Sequence, residues 1–117
     1  MSAKIENEYG SITVSDEVLA NIAGIATMEC YGLVGMASKS SADGIVELLR
    51  REHLSKGVKV YSEEDNYLVI DLYIVVEFGT RISTVAQNII DKVKYTVETM
   101  TGMKVKKVNV NVQGVRV

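Results

Sequence analysis

The chain has 117 residues, of which 47% are hydrophobic and 24% charged, a balance typical of one globular domain and not of a disordered chain. Its net charge of −2 excludes a general basic field that would attract nucleic acid or anionic lipid. The single cysteine excludes an intramolecular disulfide and a cysteine-based zinc site, and no apolar stretch is long enough to span a membrane.

The N-terminal third predicts a strand followed by a helix. Residues 1–8 are polar and partly acidic, unlike a signal or transit peptide, so we expect a cytoplasmic protein with no membrane insertion of its own. Residues 10–14 alternate as in a short strand. Ser15 is a good N-cap for a helix that runs to about Cys30 and is ended by Gly32.

The next segment predicts a second strand and a second helix. Residues 33–37 are predicted as a short strand, and residues 39–43 as a polar loop. Asp43 would cap a helix from Gly44 to about His53, with Leu48 and Leu49 in its apolar stripe.

A β-hairpin is the strongest sheet signal. Residues 58–60 lead through a polar loop, residues 62–66, into the long strand 67–78. One face of that strand is predicted as core: Leu68, Ile70, Leu72, Ile74, Val76 and Phe78. The other face is mixed: Tyr67, Val69, Asp71, Tyr73, Val75 and Glu77.

The C-terminal part predicts a long helix and a closing strand. The helix covers residues 81–100 and is ended by Gly102. Its apolar stripe is Ile82, Val85, Ala86, Ile89, Ile90, Val93, Val97 and Met100. In the strand 104–112, Val108, Val110 and Val112 face inward. The outward residues are Lys107, Asn109 and Asn111.

These elements predict one α/β domain (α+β-like) over residues 1–117, in the order β-α-β-α-β-β-α-β. A right-handed crossover should place strands 67–78 and 104–112 parallel in a mixed sheet. Helices with single apolar stripes predict a two-layer sandwich with the helices packed on one face.

No set of residues points to catalysis, a cofactor or a metal. Cys30 and His53 have no spacing that brings them together and no third group to orient the base. Asp71 and Glu77 are six residues, roughly 20 Å, apart along one strand, too far for a general acid/base pair.

One local basic region comprises Lys92, Lys94, Lys104, Lys106 and Lys107. With the tyrosines of the mixed face, this region leaves open a small nucleic-acid-binding module as an alternative, although we expect a protein and not a nucleic acid as the partner. The preferred interpretation is a charged edge strand that discourages aggregation between sheets.

The mixed sheet face is the candidate interaction surface. It combines apolar and aromatic side chains with a few charges, as protein interfaces do, although one of the domain's own helices could equally cover it. The candidate residues are Tyr67, Val69, Asp71, Tyr73, Val75, Glu77, Lys107, Asn109 and Asn111.

Four segments together resemble a known family. They are EYGSITVSDEVL (8–19), IAGIATMECYGLVG (22–35), LSKGVKV (54–60) and VNVNVQGV (108–115). They are similar to the alkaline-shock, Gls-type envelope stress response proteins of Gram-positive bacteria, in particular to the short, housekeeping-type members.

The resemblance implies a non-enzymatic cytosolic adaptor or scaffold in cell-envelope and stress homeostasis. It implies protein partners and, with the sheet face, self-association into a homo-oligomer. A partner could be a membrane-anchored protein, or a dihydroxyacetone-kinase-like fatty-acid kinase of which the chain would be a regulatory partner. The family offers no catalytic residue to assign here.

Overall fold

The structure, a computed structural model, describes residues 2–38, 48–63 and 66–117. In chain order its elements are β1 (Ser2–Asn7), β2 (Gly10–Ser15), α1 (Asp16–Met28), β3 (Leu33–Met36), a 3₁₀ segment (Arg51–Gly57), β4 (Val58–Ser62), β5 (Tyr67–Glu77), α2 (Ile82–Thr101) and β6 (Lys104–Arg116).

Strand β5 is the centre of a mixed four-stranded sheet. Along one edge it pairs antiparallel with β4, from Leu68 to Leu72, and then with β3, from Ile74 to Val76. Along the other edge it pairs parallel with β6, from Tyr67 to Glu77. The predicted hairpin and the predicted parallel crossover through α2 are therefore both confirmed.

Both helices pack on one face of this sheet. Residues of α1, α2 and the helix-side face of β5 belong to one buried cluster, which includes Leu19, Ala23, Leu68, Ile70, Leu72, Ile74, Val85, Ile89, Val93 and Val97. This confirms the predicted α+β sandwich with helices on one face.

The predicted apolar stripes are buried only where the layers overlap. Phe78 was expected in the core but is 72% exposed, because Gly79 turns the chain in the left-handed region (φ +91°) immediately after β5 ends. Ile82 and Met100, at the two ends of the predicted α2 stripe, are 44% and 66% exposed. The stripes extend past the region that the opposite layer covers.

The predicted helix boundaries depend on local capping. The Ser15 hydroxyl oxygen accepts a hydrogen bond from the Val18 N–H at 3.2 Å. At the end of α2, Gly102 takes the left-handed conformation (φ +76°) and its N–H donates to the Glu98 carbonyl at 2.9 Å. Both features are common at helix termini, and both were predicted from the type of residue at that position.

An N-terminal hairpin was not predicted. Strands β1 and β2 form a separate two-stranded antiparallel sheet, so residues 10–15 do not join the main sheet. The Asn7 side-chain oxygen accepts the Tyr9 N–H at 2.8 Å, which stabilises the tight turn. Ala3, which is only 2% exposed, joins β1 to the core of the domain.

The second predicted helix is wrong where it can be compared. Its cap, Asp43, and residues 44–47 lie outside the described residues. Leu48 forms an antiparallel β-bridge with Ala37, and the Leu49 N–H donates to the Met36 carbonyl at 2.9 Å. Pairing with the end of β3 thus replaces helical hydrogen bonds there, and residues 51–57 continue as 3₁₀ turns. The predicted element order changes accordingly.

Candidate functional site

The face of the main sheet that points away from the helices carries the candidate residues, and strand register places them side by side. Val69, Asp71 and Tyr73 lie opposite Lys107, Asn109 and Asn111 in turn. We call this face the open sheet surface: Lys59 and Tyr61 of β4; Tyr67, Val69, Asp71, Tyr73, Val75 and Glu77 of β5; and Lys107, Asn109 and Asn111 of β6.

Two asparagines of β6 are held in place by β5. The Asn109 side-chain amide donates to an Asp71 carboxylate oxygen at 2.8 Å. The Asn111 amide donates to the backbone carbonyl of Leu72 at 3.1 Å. These bonds fix the two side chains along the β5–β6 boundary, so this part of the surface is ordered before any partner arrives.

Three tyrosines stand on the same surface. Tyr61 and Tyr67 are 39% and 42% exposed, and Tyr73 is half-buried. The Lys59 ammonium lies 5.0 Å from the centre of the Tyr61 ring, within range of a cation–π contact. Interaction with the Tyr61 side chain raises the pKa of Lys59, which keeps that side chain cationic.

Lys59 and Tyr61 were not among the residues predicted for this surface. Their signal was the alternation within residues 58–62, in which Val58 and Val60 take the helix side and the intervening residues must take the other. The register of β4 against β5 shows that Lys59 lies opposite Asp71 and Tyr61 opposite Val69.

The valines predicted for the surface are not available to a partner. Val69 is 8% exposed and Val75 is fully buried, yet neither belongs to the helix-side cluster. Gly35, the register partner of Val75, lies below Leu48, whose Cδ2 is 3.2 Å from where a Gly35 β-carbon would stand. That end of the face is covered, and the exposed part is centred on the tyrosines and asparagines.

The predicted basic region does not form one patch. Lys92 and Lys94 lie on α2, in the opposite layer from the open sheet surface. The Lys92 ammonium is 3.8 Å from a Glu29 carboxylate oxygen, and the Lys106 ammonium is 2.8 Å from one of Glu63. Hydrogen bonding to Lys106 lowers the pKa of Glu63, so this pair is ionised at neutral pH.

The residues that could have suggested catalysis do not come together. The Cys30 thiol donates to the Ala26 carbonyl at 3.6 Å, and burial raises its pKa above the ordinary value of 9.0. His53 is exposed within the 3₁₀ segment. Asp71 is bonded to Asn109, whereas Glu77 lies opposite Arg116 at the strand end.

Two further features are absent from the residues that the structure describes: a metal-binding cluster and a membrane-spanning helix. Within residues 2–38, 48–63 and 66–117, no three side chains of His, Cys, Asp or Glu are grouped closely enough to hold a metal ion. Across the same ranges, neither helix is both long and apolar enough to cross a membrane.

We predict that Cys30 reacts slowly with thiol reagents. Because its raised pKa lowers the thiolate fraction at pH 7, alkylation of the folded chain should be slower than that of the urea-unfolded chain, and should still increase with pH above 9. Stopped-flow measurement with iodoacetamide at several pH values tests this. A folded-state rate at pH 7 equal to or above the unfolded one would contradict it.

Comparison with known proteins gives consistent matches. The model of the alkaline shock protein 23 family, described as having a cell envelope-related function, matches residues 4–117. The uncharacterized protein YloU of Bacillus subtilis is 51% identical over all of this chain and 98% of its own length. YqhY of the same organism is 32% identical over 95% of this chain and 81% of its own length. A stress response regulator gls24 homolog of Streptococcus pyogenes is 30% identical, covering 92% of this chain and 59% of its own. No solved structure matches the chain.

Proposed function

This chain belongs to the alkaline shock protein 23 family, as its sequence resemblance predicted, and on that premise we propose that it is a non-enzymatic scaffold in cell-envelope homeostasis. It acts in the cytoplasm by docking a protein partner on its open sheet surface and by self-association. A membrane-anchored partner would bring it to the envelope.

The observation that carries this proposal is the composition of the open sheet surface. Tyrosine is enriched at protein interfaces because its ring supplies contact area and its hydroxyl a hydrogen bond. Here Tyr61, Tyr67 and Tyr73 are at least partly accessible on a rigid sheet, beside amides already held in place. Rigid aromatic side chains lose little conformational entropy on binding, which favours them as anchors.

The residues also support a non-enzymatic role. Cys30, with its raised pKa, is a poor nucleophile, and it hydrogen-bonds to its own helix and not to a base. Pairing of Lys106 with Glu63 removes part of the charge that a nucleic-acid site would use. Protein docking is therefore the function that this surface supports best.

We predict that removing two tyrosine rings abolishes partner binding. Tyr67→Ser/Tyr73→Ser should reduce recovery of a crosslinked partner at least tenfold, because aromatic anchors carry most of the binding energy at such interfaces. The measurement is in-cell crosslinking and affinity capture from Bacillus subtilis lacking YloU, with the tagged chain supplied in its place.

The matched control is Tyr95→Ser on α2, where the tyrosine is 69% exposed but lies in the helical layer. It should capture the same partner as the unchanged chain. Equal recovery by all three proteins would remove the open sheet surface from the proposal. Recovery of no partner by the unchanged chain would overturn the docking function itself.

A further inference from the structure

Strand β6 has a long edge that no other strand of the described chain occupies. It runs from Lys104 to Arg116, and within residues 2–38, 48–63 and 66–117 the strand pairs only with β5. The opposite edge of a strand paired on one side presents backbone N–H and C=O groups to an incoming strand. A chain that pairs with this edge would therefore have to supply an extended backbone.

The protection of this edge is uneven. Lysines, which discourage pairing between edges, are confined to positions 104, 106 and 107. Residues 108–115 carry no charge and alternate valine with asparagine before the Gln113–Gly114 step. The chain contains no proline, which would interrupt a ladder of hydrogen bonds.

The regular part of β6 lies between two irregularities. The register against β5 shifts between Val105 and Lys107, and again between Val112 and Gly114. Residues 107–112 therefore form an uninterrupted six-residue stretch. A straight edge of this length matches the usual extent of strand pairing in globular proteins.

Charge indicates which strand fits there. In an antiparallel, two-fold pairing of β6 with another β6 centred on Asn109, Lys107 lies opposite the partner's Asn111. Within residues 107–112 of the two strands, no two like charges then lie opposite each other. Moving the centre to Lys107 would instead place Lys107 opposite the partner's Lys107, a like-charge pair that destabilises a sheet.

We propose that two copies of this chain pair β6 against β6, in antiparallel register centred on Asn109, to form one continuous eight-stranded sheet. This rests on the self-association in the proposed function and names its interface. The two-fold axis is perpendicular to the sheet, so the helices of both copies lie on one side. The two open sheet surfaces join into one surface that presents two copies each of Tyr61, Tyr67 and Tyr73.

A disulfide placed on the axis tests the register. In a Cys30→Ser background, Asn109→Cys puts two thiols directly opposite each other, where Cα atoms are about 4.5–5.5 Å apart and a disulfide can form. Under mild oxidation the linked dimer should form at least tenfold faster than for Asn88→Cys, an exposed position on α2. Equal rates for the two variants would overturn the proposal.

Light scattering tests the interface without a crosslink. The unchanged chain should have twice the mass of one 12.8 kDa chain. Asn109→Lys places two ammonium groups opposite each other and should halve that mass, whereas Asn88→Lys should leave it unchanged. Circular dichroism checks that both variants are folded. A monomeric unchanged chain, or a folded Asn109→Lys variant that is still dimeric, would contradict the pairing.

The two proposals fail separately. Tyr67→Ser/Tyr73→Ser alters β5 and not the free edge of β6, so it should lose the captured partner and keep the dimer mass. A dimer that captures no partner would leave the β6 pairing standing and remove partner docking. A monomer that still captures its partner would remove the β6 pairing and the self-association on which it rests, and would leave partner docking standing.

Discussion

Replacing Gly32 with alanine is expected to lower the free energy of unfolding by roughly 2–5 kcal/mol, from two separate costs. Gly32 has φ +85°, in the left-handed region, where a residue with a β-carbon loses roughly 1–2 kcal/mol. The added β-carbon would also stand 2.7 Å from Val85 Cγ2 and 3.3 Å from Thr80 Cγ2. Overpacking of this kind costs roughly 1–3 kcal/mol more.

Gly79 provides the matched control for the Gly32 variant. Its φ of +91° is nearly the same, but nothing lies within 4 Å of the β-carbon that alanine would add. Gly79→Ala should therefore show only the backbone cost, and urea titration of both variants gives the difference due to the contact with α2. Equal losses of stability in the two variants would show that the contact with Val85 is relieved without cost.

The parts of the fold that could be predicted from the sequence are those with strong local signals. The eleven-residue β5, the periodic stripe of α2 and the alternation in β6 each specify their own structure, and short connections then leave one arrangement for them. Ser15 and Gly102 marked two helix ends because capping depends on residue type at a single position.

The errors occur where distant contacts decide the structure. Leu48 and Leu49 fit the apolar stripe of a helix, yet they pair with Ala37 and Met36 at the end of β3. No local sequence pattern indicates that pairing. Strand β1 has only Ala3 and Ile5 as apolar positions, and Ala3 is buried because the hairpin folds back on the core. Tertiary contacts thus overrode the helical pattern at residues 48–49, and they buried Ala3 although its local sequence does not indicate burial.

The positions of the candidate residues on the sheet were predicted more accurately than their exposure. Strand alternation placed Tyr67, Tyr73 and Asn109 on one face, since side chains alternate along each strand and the crossover puts both strands in one sheet. The same reasoning could not show that Val75 is fully buried, because its cover comes from packing around Gly35 and Leu48. Burial on a sheet face depends on what crosses it, and a strand pattern alone does not reveal that.

The two faces of β5 should respond differently to the same truncation. Leu72 is fully buried in the helix-side cluster, at the level where β4 and β6 both pair with β5. Leu72→Ala should lower the free energy of unfolding by about 2–5 kcal/mol, since it removes transfer free energy and leaves a cavity. Its neighbour Tyr73 is half-buried on the other face, and Tyr73→Ala should cost about 1 kcal/mol.

Urea titration of both variants measures the difference in their stability, and partner capture measures the difference in their binding. The urea midpoint should fall far more for Leu72→Ala than for Tyr73→Ala, while the slope of the free energy of unfolding against urea stays unchanged in each.

At a temperature where both variants remain folded, Leu72→Ala should still capture the partner, because the open sheet surface is intact, whereas Tyr73→Ala should capture less. If Tyr73→Ala instead lost as much stability as Leu72→Ala and kept its partner, the tyrosine would be a core residue and the surface would have to be redrawn around Tyr61 and Tyr67. Two adjacent residues thus separate the face that holds the domain together from the face proposed to bind.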